Sequence, residues 1–213
     1  MRNFLLPLLI ASSTLLPLCG ASIAVGNYSF EDTTLTAGGW LDGQPPSWTS
    51  PSGNSNNFIE YIVGFVSHGN NHYGMAQGTS AYQELATAWA PYTQYQLVIG
   101  VGNRNAGWTA AGNQSSIALE STAAAVGTHV ASTFLDSSTL PESTFADVTL
   151  TYTTGAVAPA GNIRIWVGST GAAGTGRGHF DNVRLTANPI PEPTGAALLV
   201  LAAGGFCARR RKS

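Results

Sequence analysis

Residues 145–153, Phe-Ala-Asp-Val-Thr-Leu-Thr-Tyr-Thr, decide the fold class through their alternation. Val148, Leu150 and Tyr152 fall on one side of the chain, and the intervening threonines fall on the other. A period of two residues is that of a β-strand with one buried and one solvated face. The stretch therefore predicts an antiparallel strand that covers a core.

The same alternation recurs along the chain. Tyr95, Leu97, Ile99 and Val101 share one face, and residues 163–167 repeat the pattern. Shorter candidate strands are residues 28–30, 58–63, 82–86, 117–119 and 183–185. Residues 81–90 allow a short helix that Pro91 would stop. Eight to ten short strands predict an all-β domain, an antiparallel β-sandwich of the jelly-roll type, over residues 25–187.

Charge is scarce and mostly acidic. Charged residues make up 9% of the chain, against about 25% in an average soluble protein. Between Ser22 and Pro189 there are ten acidic residues, four arginines and no lysine. A nucleic-acid-binding surface needs clustered basic residues, so nucleic acid is excluded as a partner. Cys19 and Cys207 lie outside the domain, which therefore needs no disulfide.

The N-terminus has the pattern of a secretory signal peptide. Arg2 precedes an apolar run from Phe4 to Leu18, and small residues follow. We assign residues 1–24 to this signal helix. Cleavage after Ala21 and cleavage after Ala24 both fit the small-residue rule.

The C-terminus, residues 188–213, has three parts in a fixed order. Pro-Glu-Pro at 191–193 precedes an uncharged run at 194–208, and basic residues follow at 209–212. About 15 helical residues reach about 22 Å, so the run predicts a short transmembrane helix with its basic end in the cytoplasm. A buried C-terminal helix is the alternative, although four consecutive basic residues do not suit the end of a core helix.

This order resembles the PEP-CTERM sorting signal of bacterial envelope proteins. The resemblance implies recognition by an exosortase, transient anchoring in the inner membrane, and delivery to the cell envelope, outer surface or extracellular matrix of a host that makes exopolysaccharide. Its sorting residues would be Pro191, Glu192, Pro193, Arg209, Arg210 and Arg211.

The domain itself resembles galactose-binding-like jelly rolls, the fold of carbohydrate-binding modules. Residues 27–31 and 179–185 look like the first and last strands of that fold, and residues 95–104 look like a central strand. The resemblance implies that the terminal strands pair and that a structural Ca²⁺ lies beside them. Asp181 has the parity of Val183 and Leu185, so it is expected to point inward.

Glu31 and Asp181 are the expected calcium ligands. A buried carboxylate needs a partner or a cation, and carboxylate oxygens suit calcium. In the alternative, Asp181 accepts hydrogen bonds from a turn and Glu31 is solvated.

Tryptophans in predicted loops are the candidate ligand-binding residues. Trp48 and Trp108 are the candidates, with Arg104 close to Trp108 in sequence. An exposed aromatic ring stacks on a sugar face, and loops carry function. In the alternative, each ring caps the core, because aromatic side chains bury large areas.

Motifs for catalysis are absent from the sequence. It has no Gly-x-Ser-x-Gly elbow and no His-Glu-x-x-His, and glycoside hydrolysis would need two facing carboxylates such as Glu60 and Glu84. We therefore expect a non-catalytic envelope or matrix protein that associates with exopolysaccharide or binds carbohydrate. A purely structural or adhesive component is the alternative, and a glycoside hydrolase is the minority alternative.

Overall fold

The protein is a sandwich of two antiparallel sheets. The computed structural model describes residues 20–51, 56–105, 107–171 and 176–191. Within these ranges the chain forms a short 3₁₀ turn at Ser137–Thr139 and the following strands: β1 Ala21–Ile23, β2 Trp40–Asp42, β3 Phe58–Glu60, β4 His72–Ala76, β5 Ser80–Ala88, β6 Thr93–Asn103, β7 Asn113–Ser121, β8 His129–Asp136, β9 Thr144–Thr153, β10 Asn162–Gly171 and β11 Arg177–Pro189. The prediction of an all-β antiparallel sandwich is confirmed.

The larger sheet has the strand order β2-β3-β4-β11-β6-β9, with β1 also paired to β11. The smaller sheet has the order β5-β10-β7-β8. Residues 145–153 lie in β9, at the edge of the larger sheet, and residues 81–88 are strand rather than helix. The inward-facing side chains of both sheets form the core, which includes Leu97, Ile165 and Phe180, each fully buried.

The terminal strands pair as expected, but the first strand lies earlier than predicted. β1 pairs with residues 185–187 of β11, so Ile23 lies opposite Leu185. Residues 27–31 instead form turns in which Asn27 and Phe30 have φ of 46° and 60°. Both ends of the described chain therefore lie at the Pro189 end of β11, and Arg177 lies at the other end.

A β-bulge in β11 reverses the predicted direction of Asp181. The pairing register of β11 with β6 shifts between Asp181 and Arg184, and Asn182 there has φ of 52°. Phe180 and Val183 both lie in the core, so the parity of Val183 does not extend back to Asp181. Asp181 points away from the core, and the inward direction inferred from strict alternation is wrong at this position.

The predicted signal helix and the predicted transmembrane helix at 194–208 fall outside the described residues. Among residues 20–191, with the gaps given above, no helix has the length and apolar character needed to cross a membrane.

Removal of β1 should destabilise the domain. Ile23 is 9% exposed in the core, and burial of an isoleucine contributes about 1.5–3 kcal/mol. A chain that begins at Val25 should therefore unfold at lower urea concentration than one that begins at Gly20. Ile23→Ala in the longer chain is the matched control and should reproduce most of the loss. Equal urea midpoints of unfolding for the chains that begin at Gly20 and at Val25 would contradict the placement of β1.

Candidate active site

The outer face of the larger sheet, the face turned away from the core, carries the candidate site. Two rows of directly opposed residues cross the strands on this face. The first row is Trp40, Glu60 and His72. The second row is Asp42, Phe58, Gly74, His179, Gly102 and Phe145.

Glycines in the second row make room for two aromatic rings. A Cβ atom at Gly74 would lie 2.3 Å from the Phe58 ring, and one at Gly102 would lie 2.6 Å from the Phe145 ring. The rings therefore lie across the neighbouring strand. As a result, aromatic rings cover this part of the outer face.

The loop of residues 61–71 covers part of this face. Phe65 is 2% exposed and contacts the rings of His72, His179 and Phe145, with centroid distances of 4.9, 5.4 and 4.7 Å. The Asp181 carboxylate accepts hydrogen bonds from the backbone N–H groups of Ser67 and His68, both at 2.7 Å. This carboxylate therefore holds the loop on the sheet.

Glu31 holds the other end of the same loop. One of its carboxylate oxygens accepts the backbone N–H groups of Asn70 and Asn71, both at 2.7 Å. Asp181 also accepts the N–H of Asn182 at 2.6 Å. The described residues contain no group of three or more His, Cys, Asp or Glu side chains that could hold a metal ion. The calcium site at Glu31 and Asp181 therefore stays a prediction, and no chemistry proposed below depends on it.

A pocket of about 580 Å³ opens on the part of the outer face that the loop leaves uncovered. Its volume is in the usual range for small-molecule sites. Aromatic rings and charged groups of both signs line it, at the Arg177 end of β11. The lining residues are Gly38, Trp40, Asp42, Asn56, Phe58, Glu60, Arg104, Trp108 and Arg177.

An ion pair stacked on an indole ring forms one wall of the pocket. Arg104 Nη2 lies 3.0 Å from Glu60 Oε1, and the Arg104 guanidinium lies 4.0 Å from the centroid of the Trp108 ring. Glu60 is 7% exposed, and its other oxygen, Oε2, has no hydrogen-bond partner among the described residues. Arg104 thus fixes one oxygen of this carboxylate, while Oε2 is itself buried and turned away from the pocket toward His72.

Two buried imidazoles lie behind that carboxylate. His72 Nε2 is 3.6 Å from Glu60 Oε2, and the rings of His72 and His179 are 5.1 Å apart. Burial lowers the pKa of His72. Burial also lowers the pKa of His179 well below the usual value, and the positive charges of Arg104 and Arg177 act in the same direction. Both imidazoles are therefore neutral at pH 7.

Arg177 faces the pocket from the start of β11. Its guanidinium lies 5.2 Å from the Phe58 ring centroid and 5.1 Å from that of Trp108. Its Nη1 donates to the Asn56 carbonyl oxygen at 2.5 Å. Burial lowers the pKa of Arg177, with a further contribution from the charge of Arg104.

The predicted ligand-binding residues separate into two groups. Arg104 and Trp108 meet at the pocket, where Trp108 is 36% exposed. Trp48 is 2% exposed and packs on Phe30, with 5.6 Å between ring centroids, so it caps the core and offers no face to a ligand.

Glu60 and Glu84 do not face each other. They lie on β3 and β5, in different sheets, and Glu84 pairs with Arg164 at 2.7 Å. Of the predicted sorting residues, only Pro191 is within the described ranges.

Sequence reasoning missed Phe58 and Arg177 as site residues, and it considered Glu60 only as half of a hydrolase pair. Asp42, Phe58 and His179 lie in one cross-strand row, with Gly74 between Phe58 and His179, although they are far apart in sequence. Alternation within one strand reveals which residues share a face, but it does not reveal which strands are neighbours. Gly74 in the middle of β4 and Gly102 near the end of β6 were the available signal, because glycine within a strand marks a close approach.

The fold and the pocket define an antiparallel β-sandwich with a small-molecule-sized site on the outer face of one sheet. The chain belongs to the HpiC1-like family, described as HpiC1 cyclase, whose family model matches residues 21–186. The comparison with curated proteins found no match.

Solved structures with the same fold include two cyclase complexes from Fischerella sp. TAU. The Stig cyclase Fisc, in complex with (3Z)-3-(1-methyl-2-pyrrolidinylidene)-3H-indole, is 22% identical with a TM-score of 0.67 over 81% of this chain and 100% of its own. A cyclase in complex with 4-(1H-indol-3-yl)butan-2-one is 22% identical with a TM-score of 0.66 over 80% and 99%. The carbohydrate-binding module TmCBM61, in complex with β-1,4-galactotriose, is 15% identical with a TM-score of 0.49 over 76% and 95%.

Family membership corrects the functional expectation. The HpiC1-like family is a cyclase family, so the prediction of a non-catalytic envelope or matrix protein, and with it the statement that the chain is not an enzyme, is wrong. The inference failed because it searched for local catalytic motifs, whereas this pocket draws its charged groups from separate strands and from the loop that follows β6.

Asp181 should make stability depend on pH. Burial raises the pKa of this carboxyl from 3.8 to about 7. Because folding raises the pKa, the stabilisation is complete below the unfolded value and is lost as the pH rises through about 7. The side chain of Asp181→Asn stays neutral at every pH. Relative to this variant, the free energy of unfolding of the wild type should fall by at most about 4 kcal/mol as the pH rises from the unfolded pKa to the folded one.

Urea unfolding of both proteins at several pH values measures this difference, and Asp147→Asn, at an exposed carboxylate, is the control. If the free energy of unfolding depends on pH in the same way for the wild type and for Asp181→Asn, the raised pKa of Asp181 is refuted. Repeating the series with Ca²⁺ and with a chelator tests the calcium prediction, which requires a Ca²⁺-dependent gain in the wild type.

Proposed function

We propose that this protein is a cyclase that closes a ring in a small aromatic molecule bound in the outer-face pocket. The observation that carries the proposal is a pocket with aromatic walls and a largely buried carboxylate that Arg104 fixes at 3.0 Å. Family membership supports the reaction class, and the indole compounds bound to the two Fischerella cyclases suggest a substrate of that size.

The pocket supplies what an intramolecular ring closure needs. Such a reaction is an isomerisation, so no co-reactant enters and none leaves. Its barrier falls when the reacting ends are held together, when a proton is moved, and when developing charge is stabilised. The rings of Trp40, Phe58 and Trp108 can sandwich a flat substrate and hold its conformation, because aromatic surfaces pack well against one another.

Glu60 is the group we assign to proton transfer or charge stabilisation. Its salt bridge to Arg104 fixes the carboxylate in orientation. In this role it takes a proton from one position of the substrate and returns it at another, or it stabilises a positive charge that forms on the substrate. The neutral imidazole of His72, 3.6 Å from Glu60 Oε2, lies behind the carboxylate and adds no charge there.

A first experiment tests binding and turnover together. Binding of 4-(1H-indol-3-yl)butan-2-one is measured by calorimetry, and indoles with an unsaturated side chain are incubated with the protein and analysed by chromatography and mass spectrometry. The expected product is an isomer with the mass of its substrate. Absence of both binding and isomerisation across the panel would overturn the proposal.

Glu60→Gln should lower kcat/KM by about 100-fold or more, because the amide cannot take up a proton. Glu84→Gln, a change of the same kind in the other sheet, should leave kcat/KM unchanged. Equal rates for Glu60→Gln and the wild type would remove Glu60 from the mechanism.

We also propose that the enzyme is exported and sorted through a PEP-CTERM signal. The order of Pro191-Glu192-Pro193, the uncharged run and the basic cluster at 209–212 supports recognition by an exosortase, transient anchoring in the inner membrane, and release to the cell envelope or the extracellular space. Cleavage after Ala21 suits the fold better than cleavage after Ala24, because it keeps Ile23 in the core.

The mature protein should begin at Ser22 and lack the basic C-terminus. Intact-mass analysis of the protein released by a host that has an exosortase measures both ends. Glu192→Ala should leave the C-terminal segment attached and the protein in the membrane fraction. Release of Glu192→Ala at the wild-type mass would contradict the sorting proposal.

A further inference from the structure

We propose that the substrate of this pocket is an aromatic carboxylate and that Arg177 binds its carboxylate group. The inference rests on the proposed function, and it names the substrate class of the same site.

Arg177 is the exception among the arginines of the domain. Residues 20–191 contain four arginines and no lysine. Three of the four pair with carboxylates at 3.2 Å or less: Arg104 with Glu60, Arg164 with Glu84 and Glu120, and Arg184 with Asp147. Within the part of the chain that the structure describes, Arg177 has no carboxylate within 4.0 Å.

The surroundings of Arg177 make its charge available to a ligand. A guanidinium has five N–H donors in a planar fork. One protein acceptor, the Asn56 carbonyl oxygen, is hydrogen-bonded to it, and the rings of Phe58 and Trp108 lie beside it. Aromatic neighbours displace water from a cation without supplying an anion. A ligand carboxylate that forms two parallel hydrogen bonds with this guanidinium therefore gains more binding free energy here than at an exposed arginine.

None of the other charged or titratable groups described at the pocket forms an ion pair with Arg177. Glu60 is already paired with Arg104. Asp42 attracts Arg177 at longer range but does not form an ion pair with it at 4.0 Å or less. His72 and His179 are buried behind Glu60 and are neutral. A flat ring against Trp40, Phe58 and Trp108 would therefore bring a short acidic side chain to Arg177.

Two ligands of nearly identical shape test the inference. 3-(1H-indol-3-yl)propanoate and 4-(1H-indol-3-yl)butan-2-one share the indole ring and the two-carbon linker, and they differ only in carboxylate against methyl ketone. We expect the wild type to bind the carboxylate about 10- to 100-fold more tightly, as for a charge-assisted hydrogen-bonded pair. Added salt should reduce this preference.

Arg177→Gln should abolish the preference while the ketone still binds, and Arg177→Lys should restore part of it. Arg184→Gln removes the same charge at the exposed pair with Asp147 and should leave the preference unchanged. Melting curves of each variant confirm that it is folded.

The outcomes separate the inference from the proposed function. If the wild type binds both ligands equally, or if Arg177→Gln keeps the preference, the role of Arg177 is overturned and the aromatic pocket remains. If the folded wild type binds neither ligand, the proposed function and this inference both fail.

Discussion

The Asp181 carboxylate keeps loop 61–71 on the outer face of the larger sheet through the backbone N–H groups of Ser67 and His68. Without this loop, the rings of His72, His179 and Phe145, which Phe65 covers, would face water. With it, His72 and His179 are fully buried and Glu60 has a dry side as well as an open side. Low polarity around Glu60 and Arg104 strengthens their attraction, so the electrostatics of the pocket depend on a loop that lies beside it.

A local irregularity in β11 follows Asp181. The bulge at Asn182 lets Phe180 and Val183 both reach the core while Asp181 points outward. Phe180 faces the core, so its neighbour Asp181 faces outward, and the extra residue that follows returns Val183 to the core. An extra residue in one strand thus connects the core of the sandwich to the surface on which the pocket forms.

Much of the fold could be predicted from the sequence. The alternation within residues 95–101, 145–153 and 163–167 indicates which segments are strands and which of their side chains face the core. The site was accessible only in part. Arg104 and Trp108 were found because they are four residues apart in one loop. Glu60 and Arg177 come together only through the pairing of β3, β4 and β11, which no local pattern specifies. Trp48 shows the converse error, since a ring in a loop can still be part of the core.

The direction of β11 has a consequence for how the molecule can be used. This strand begins at the pocket with Arg177 and ends beside β1, about 40 Å away at about 3.3 Å per residue. Both ends of the described chain therefore lie at the end of the sandwich opposite the opening of the pocket. A solid support, a bulky partner or a second catalytic module can therefore be joined at either end without blocking diffusion into the pocket. This arrangement suits use of the protein as an immobilised catalyst.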